Sequence, residues 1–140
     1  MRFIIYGNPV TKKNSQRIVT VGRYPKLLPS KQYVQYRKEC LEQLDVRRHA
    51  ISTPVNVKAV YYMQTRRKVD LSNLNSALHD ILVDAGVLAD DNRDVVAGHD
   101  GSRVFYDKDT PRVEVTITPM PKYEQWVRGT KKVRQLLEED

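Results

Sequence analysis

Apolar residues at helical spacing dominate the middle of the chain and constrain its fold more than any other feature. They recur every three or four positions, as on the buried face of a helix: Leu71, Leu74, Ala77, Leu78, Ile81, Leu82 and Ala85. Gly86 is a typical C-terminal stop, and Ser72 is placed to be the N-cap. The pattern therefore predicts one amphipathic helix that buries this face.

Short apolar or alternating segments on both sides of that helix predict β-strands. In chain order they are residues 2–7, 18–24 (interrupted at Gly22), 56–64, 95–98, 102–106 and 112–118. Asp100-Gly101 is a favoured hairpin pair, which predicts that it joins two of these strands. A further helix is predicted from the N-cap Ser30 to about Arg48, and a terminal helix from Pro121 onward. The sequence thus predicts the α+β class.

Length and composition bound the class of protein. The 140 residues fit a single domain, and 40% hydrophobic with 29% charged residues is typical of a soluble globular chain. No apolar run approaches the roughly 20 residues that cross a bilayer. Cys40 is the only cysteine, which excludes an intrachain disulfide and a cysteine-based zinc site. We expect a reducing, cytoplasmic location.

Charge is divided unevenly along the chain. The net charge is +7, but residues 1–70 hold 15 Lys and Arg against 4 Asp and Glu, an excess of 11. Residues 71–140 hold 9 against 13 and are net acidic. A basic half favours a nucleic-acid partner, because binding releases counterions from the phosphates. A soluble protein of high pI, or an RNA-binding domain, would carry the same signature.

Carboxylates flank the central helix at Asp70 and at Asp90-Asp91. Residues 73–85 rise about 20 Å as a helix, and the six residues 86–91, if extended back along it, span about the same distance. Such a return would bring Asp91 close to Asp70. The alternative is that Asp70 caps the helix while Asp90 and Asp91 lie in a solvated turn.

Clustered carboxylates need a cation or bound protons to offset their repulsion. Oxygen ligands without cysteine point to Mg²⁺, with Mn²⁺ as a substitute. These ions suit phosphodiester hydrolysis, because they activate water and stabilise charge on the phosphate. The sequence has no Walker loop or other motif for a small-molecule cofactor.

Several motifs together resemble one family. Asp70-Leu71-Ser72-Asn73-Leu74, a helix, Ala85-Gly86 and Leu88-Ala89-Asp90-Asp91 resemble the RusA-type Holliday junction resolvases. Residues 99–103 and 107–112 look like versions carried by phages and prophages. The likeness runs from the first strand to about Pro119, so residues 1–120 are predicted to form a RusA-like endonuclease domain. Residues 121–140 would be a C-terminal helical extension.

The resemblance implies a small homodimer, with a mixed β-sheet packed by helices, that binds branched DNA, especially four-way junctions. It implies paired nicks that use Mg²⁺, in DNA recombination and repair, with no membrane partner. By position, Asp70 and Asp91 match acidic active-site residues, with Asp90 beside them. The enterobacterial pattern of the family has an aspartate where this chain has Ser72 and a lysine where it has Ser76. Ser72 remains a candidate helix cap or metal ligand, and a junction-binding architectural protein with weakened catalysis remains an alternative.

Other polar residues are candidates for the site or for DNA contacts. His99 is a candidate metal ligand or proton carrier, and equally a hydrogen-bonded hairpin residue. Candidate phosphate contacts lie in two basic segments and on one strand: Lys12, Lys13, Asn14 and Arg17; Arg66, Arg67 and Lys68; and Arg103. For each of these side chains a solvated surface position is the alternative.

Overall fold

Two helices form where the apolar spacing predicts them. A computed structural model describes residues 1–12, 17–45 and 49–120. Helix α1 (Lys31–Gln43) is capped by Ser30, whose side chain accepts a hydrogen bond from the Tyr33 N–H at 3.0 Å. Helix α2 (Leu71–Asp84) carries the central apolar stripe. Neither helix, nor any other in the described part of the chain, is long and apolar enough to span a membrane.

The N-cap predicted at Ser72 is wrong, because the N-cap is Asp70 and the helix begins two residues earlier than predicted. Asp70 has extended backbone, and its carboxylate accepts hydrogen bonds from the N–H groups of Ser72 (2.8 Å) and Asn73 (3.4 Å). Ser72 therefore lies exposed in the first turn. A carboxylate at this end also interacts favourably with the helix dipole.

The predicted mixed sheet is confirmed, and it has five strands. They are β1 (Arg2–Tyr6), β4 (Val55–Met63), β5 (Val96–Gly98), β6 (Arg103–Tyr106) and β7 (Arg112–Pro119). β7 lies between β1 and β4 and is antiparallel to both, whereas β5 and β6 run parallel to β4. Buried residues alternate along β4 and β7, so one face of the sheet packs on the stripes of α1 and α2 in a single core.

The hairpin predicted at Asp100-Gly101 is wrong. β5 and β6 do not pair with each other; they follow the same edge of β4 in the same direction. Asn56 holds the loop between them, because its side chain accepts from the Asp100 N–H at 2.8 Å and donates to the Asp100 carbonyl at 3.1 Å. Gly101 in this loop has a positive φ of 84°, a conformation that glycine adopts without steric cost.

A separate two-stranded sheet, β2 (Arg17–Val21) with β3 (Tyr24–Leu28), replaces the ribbon predicted over residues 18–24. Gly22 lies in its two-residue turn. We call this hairpin the β2–β3 arm. Helix α1 ends at Gln43 because Leu44 adopts extended backbone, so the end predicted near Arg48 is wrong. The helix predicted from Pro121 falls on residues 121–140, which lie outside the described residues.

Candidate active site

A tight reversal of the chain follows α2 and determines where Asp90 and Asp91 lie. Gly86 adopts a φ of 75°, and the N–H groups of Gly86 and Val87 donate to the carbonyls of Val83 and Leu82 at 3.0 and 2.9 Å. This is a Schellman motif, which requires a left-handed residue at this position. Ile51 then fixes the returning segment, through hydrogen bonds with Val87 and Ala89 on either side of the buried Leu88.

That reversal brings the Asp91 carboxylate to Asp80 of α2. Partial desolvation raises the pKa of Asp91, and hydrogen-bonding contacts with the carboxyl groups of Asp80 and Asp90 raise it further. Asp90 also accepts a hydrogen bond from the Asp91 N–H at 2.7 Å. We call Asp80 and Asp91 the carboxylate pair. Two carboxylates this close share a proton or need a cation between them.

Lys12 supplies a positive charge to the carboxylate pair. Its ammonium group donates to an Asp80 carboxylate oxygen and lies 5.9 Å from the centre of the Tyr33 ring. Burial and the nearby Asp80 charge raise the pKa of Tyr33 to about 12, so this phenol stays neutral at pH 7. Lys12 was predicted to contact DNA, and the structure places its ammonium group beside the carboxylate pair. Helix α2 itself contains no lysine.

Two histidines border the same region. His79 is 8% exposed, and its Nε2 has no hydrogen-bond partner among the described residues. Burial, with a smaller contribution from the nearby His99, lowers the pKa of His79 to about 4 against the opposing effect of Asp80. His99 is exposed in the loop between β5 and β6. The structure thus brings His99 near His79; a role for His99 as ligand or proton carrier stays a prediction.

Asp70 lies at the other end of α2. Ten helical positions separate it from Asp80, a rise of about 15 Å. Asp70 lines a cleft of about 470 Å³ together with Thr11, Lys68, Val69 and Asn73. Thr11 precedes Lys12, so this loop borders both Asp70 and the carboxylate pair. Within the described ranges no three His, Cys, Asp or Glu side chains form a group that could hold a metal ion. A site shared by Asp70 and Asp91 stays a prediction.

The capping role of Asp70 can be tested by substitution. Asparagine caps a helix about as well as aspartate, so we expect Asp70→Asn to leave the free energy of unfolding nearly unchanged. Asp70→Ala loses both N–H contacts and should cost about 1 kcal/mol. Urea unfolding measures both variants. Equal destabilisation by Asn and Ala would contradict the capping role.

The other predicted DNA contacts are distributed around these clefts. Arg67 and Lys68 line a second cleft with Asn8, Gln32 and Gln64, and the Arg66 guanidinium lies 4.7 Å from the centre of the Tyr106 ring. Arg103 is exposed and donates to the Ser102 carbonyl at 2.8 Å, and Arg17 donates to the Pro29 carbonyl at 3.3 Å. Lys13 and Asn14 lie outside the described residues. Among these basic side chains, Lys68 borders the cleft that contains Asp70 and also the second cleft, which Arg67 borders as well.

Sequence reasoning missed Asp80 and His79, which carry much of the site. The available signal was their position: His79-Asp80 is a polar pair set between Leu78 and Ile81 in the most apolar helix of the chain. Buried or half-buried polar residues at such positions need partners or a function.

The domain combines a carboxylate pair, a lysine beside that pair and a strongly basic half. These are features of an enzyme that acts on a polyanion. The comparison with protein families names that class more closely: the model described as "Endodeoxyribonuclease RusA" matches residues 7–118. The chain therefore belongs to the RusA endodeoxyribonuclease family. No curated protein matches it.

Proposed function

We propose that this protein is a Mg²⁺-dependent endodeoxyribonuclease that resolves Holliday junctions and related branched DNA by paired phosphodiester nicks. The observation that carries the proposal is the carboxylate pair, in which Asp91 contacts Asp80 closely enough for a raised pKa. The pair lies in a chain whose family is a family of endodeoxyribonucleases. Its surroundings are exposed, so a DNA strand can reach it.

The donor set fits a hard divalent cation. Mg²⁺ commonly takes one or two protein carboxylates and keeps water at its other positions, so Asp80 and Asp91 suffice to hold it, with Asp90 beside them. Mn²⁺ accepts the same oxygen ligands. The ion, when bound, supplies an activated water and neutralises charge on the scissile phosphate.

The chain's own residues have distinct tasks at this site. Lys12 offsets part of the negative charge of the carboxylate pair, so that an approaching phosphate meets a cation as well as two acids. Lys12 does so from the loop before the β2–β3 arm, and it gives the site a lysine although Ser76 stands at the lysine position of the enterobacterial pattern. Asp70 stabilises the start of α2, the helix that carries Asp80.

Basic side chains beside the Asp70 cleft would bind the DNA backbone. Each phosphate contact releases counterions, so log affinity falls as log salt rises. Replacing Arg66, Arg67 and Lys68 with alanine should make this negative slope shallower by about three. Arg37→Ala is the matched control, because the Arg37 guanidinium is already paired with Asp84 at 2.9 Å. Electrophoretic titrations at several salt concentrations measure the slope. An unchanged slope in the triple variant would place the DNA surface elsewhere.

A homodimer would supply the second nick. Two nicks placed symmetrically across a four-way junction require two equivalent sites, and a two-fold dimer provides them. The alternative function is junction binding with weakened catalysis. It is favoured by Ser72 and Ser76, which stand where the enterobacterial pattern of the family has an aspartate and a lysine.

A labelled four-way junction separates these functions. The proposed nuclease should cut it in Mg²⁺ or Mn²⁺ and not in excess chelator, and should leave a linear duplex of the same sequence intact. Tight junction binding without cutting in either metal would favour the architectural function. RNA that competes better than the junction would contradict both.

A further inference from the structure

The β2–β3 arm is the part of the structure that the catalytic proposal does not use. Its strands pair only with each other among the described strands, and the Arg17 side chain ties its base to the Pro29 carbonyl before α1. Four large apolar side chains on it are exposed: Ile18 (75%), Val21 (61%), Tyr24 (78%) and Leu27 (58%). An isolated two-stranded sheet is marginally stable in water, so a partner that covers its apolar side chains would stabilise the arm.

The exposed apolar side chains cover both faces of the arm. Ile18 is paired directly with Leu27, and Val21 with Tyr24 beside the turn. Directly paired residues share a face, whereas residues three apart on one strand point to opposite faces. The Ile18–Leu27 pair therefore lies on one face and the Val21–Tyr24 pair on the other. The arm is a ribbon with apolar surface on each side.

The charge of the arm restricts what its partner can be. Arg17, Arg23 and Lys26 lie on it, with Arg23 in the turn, and the chain has no Asp or Glu before Glu39. A surface that combines only positive charge with apolar and aromatic groups is complementary to nucleic acid with exposed base faces. Linear duplex hides those faces by stacking. A two-fold contact with a second copy would cover one face of the ribbon and leave the other in water.

From these observations we infer that the β2–β3 arm is a wedge that inserts at the branch point of DNA, where each apolar face stacks on an unstacked base pair while Arg17, Arg23 and Lys26 contact the flanking phosphates. This inference rests on the proposed action on branched DNA. It assigns the preference for branched over linear DNA to the arm, not to the carboxylate pair. Apolar side chains inserted between base steps are a general device for binding distorted DNA.

Binding measurements with the full-length protein in chelator, where cutting is suppressed, test the wedge. Tyr24→Ser, and separately the double variant Ile18→Ser with Leu27→Ser, should each weaken binding to a four-way junction about 10-fold, the size of one lost stacking contact. Binding to linear duplex and the salt slope should not change, because the cationic residues remain. Val34→Ser is the matched control, since Val34 is an exposed apolar residue on α1.

Two further readouts identify the partner. 2-Aminopurine at the branch point should change fluorescence when the wild-type protein binds and change less with Tyr24→Ser. Sedimentation should give the same mass for the wild-type and arm variants. Unchanged junction affinity in both variants, or a fall in mass that shows a second copy as the occupant, would overturn the wedge. A wild-type protein that binds junction and duplex equally would instead overturn the proposed function itself.

Discussion

Asp91→Asn should lower the single-turnover rate of junction nicking at least about 100-fold. Residues that merely orient metal ligands commonly contribute 10- to 100-fold, so a group that itself binds the ion should contribute no less. Asparagine keeps the size of the side chain and removes the charge on which the cation depends. Asp80→Asn should cause a comparable loss, because its carboxylate is in hydrogen-bonding contact with Asp91.

Binding and folding should survive these two substitutions. In chelator, junction affinity should be unchanged or improved, because removing one negative charge reduces repulsion of the phosphates. Asp84→Asn is the matched control: Asp84 lies on the same helix, one turn beyond Asp80, and pairs with Arg37. Parental nicking rates in both Asp80→Asn and Asp91→Asn would eliminate the carboxylate pair as the nicking site.

Acid should destabilise the fold through His79. The unfolded histidine takes up a proton near pH 6.5, but burial lowers the pKa of His79 to about 4 in the folded protein. Between these values the unfolded state binds more protons, so stability is fully present above pH 6.5 and falls as the pH drops toward 4. The difference of about 2.5 pH units corresponds to roughly 3 kcal/mol of the free energy of unfolding.

Urea unfolding in chelator at pH 7 and pH 4.5 measures this loss. His79→Leu removes the titrating group, so the pH dependence of wild type minus that of the variant isolates the contribution of His79. His49→Leu is the control, because His49 is exposed and its replacement should leave the dependence intact. If wild type and His79→Leu lose stability equally on acidification, His79 is not a buried neutral group.

Local features of the fold were predictable because they are determined by neighbouring residues. The stripe of α2 and the glycine that ends it follow from side-chain spacing and from the left-handed conformation of Gly86. The cap at Ser30 was predicted for the same reason. The cap of α2 was placed two residues late, since both Asp70 and Ser72 have capping side chains and the sequence does not say which has extended backbone.

The path between elements was not predictable, because it depends on distant pairing. Asp100-Gly101 has the residues of a hairpin turn. The chain does not reverse there, because β6 pairs in parallel with β4 and the Asn56 side chain hydrogen-bonds to the backbone of Asp100. In the same way, the contact of Asp91 with Asp80 depends on the path of the chain after α2. The Schellman motif at Gly86 and the hydrogen bonds with Ile51 determine that path and bring Asp91 to Asp80.

The most direct test of the central proposal uses a supercoiled plasmid that extrudes a cruciform, the four-way junction of an inverted repeat. In Mg²⁺ the wild-type protein should convert it to linear DNA by two nicks at the base of the cruciform, and a plasmid without the repeat should remain supercoiled. Asp80→Asn and Asp91→Asn should leave both plasmids uncut. Linear product from both plasmids alike, or none from the cruciform plasmid in Mg²⁺ or Mn²⁺ while the protein binds it, would contradict a junction-resolving nuclease.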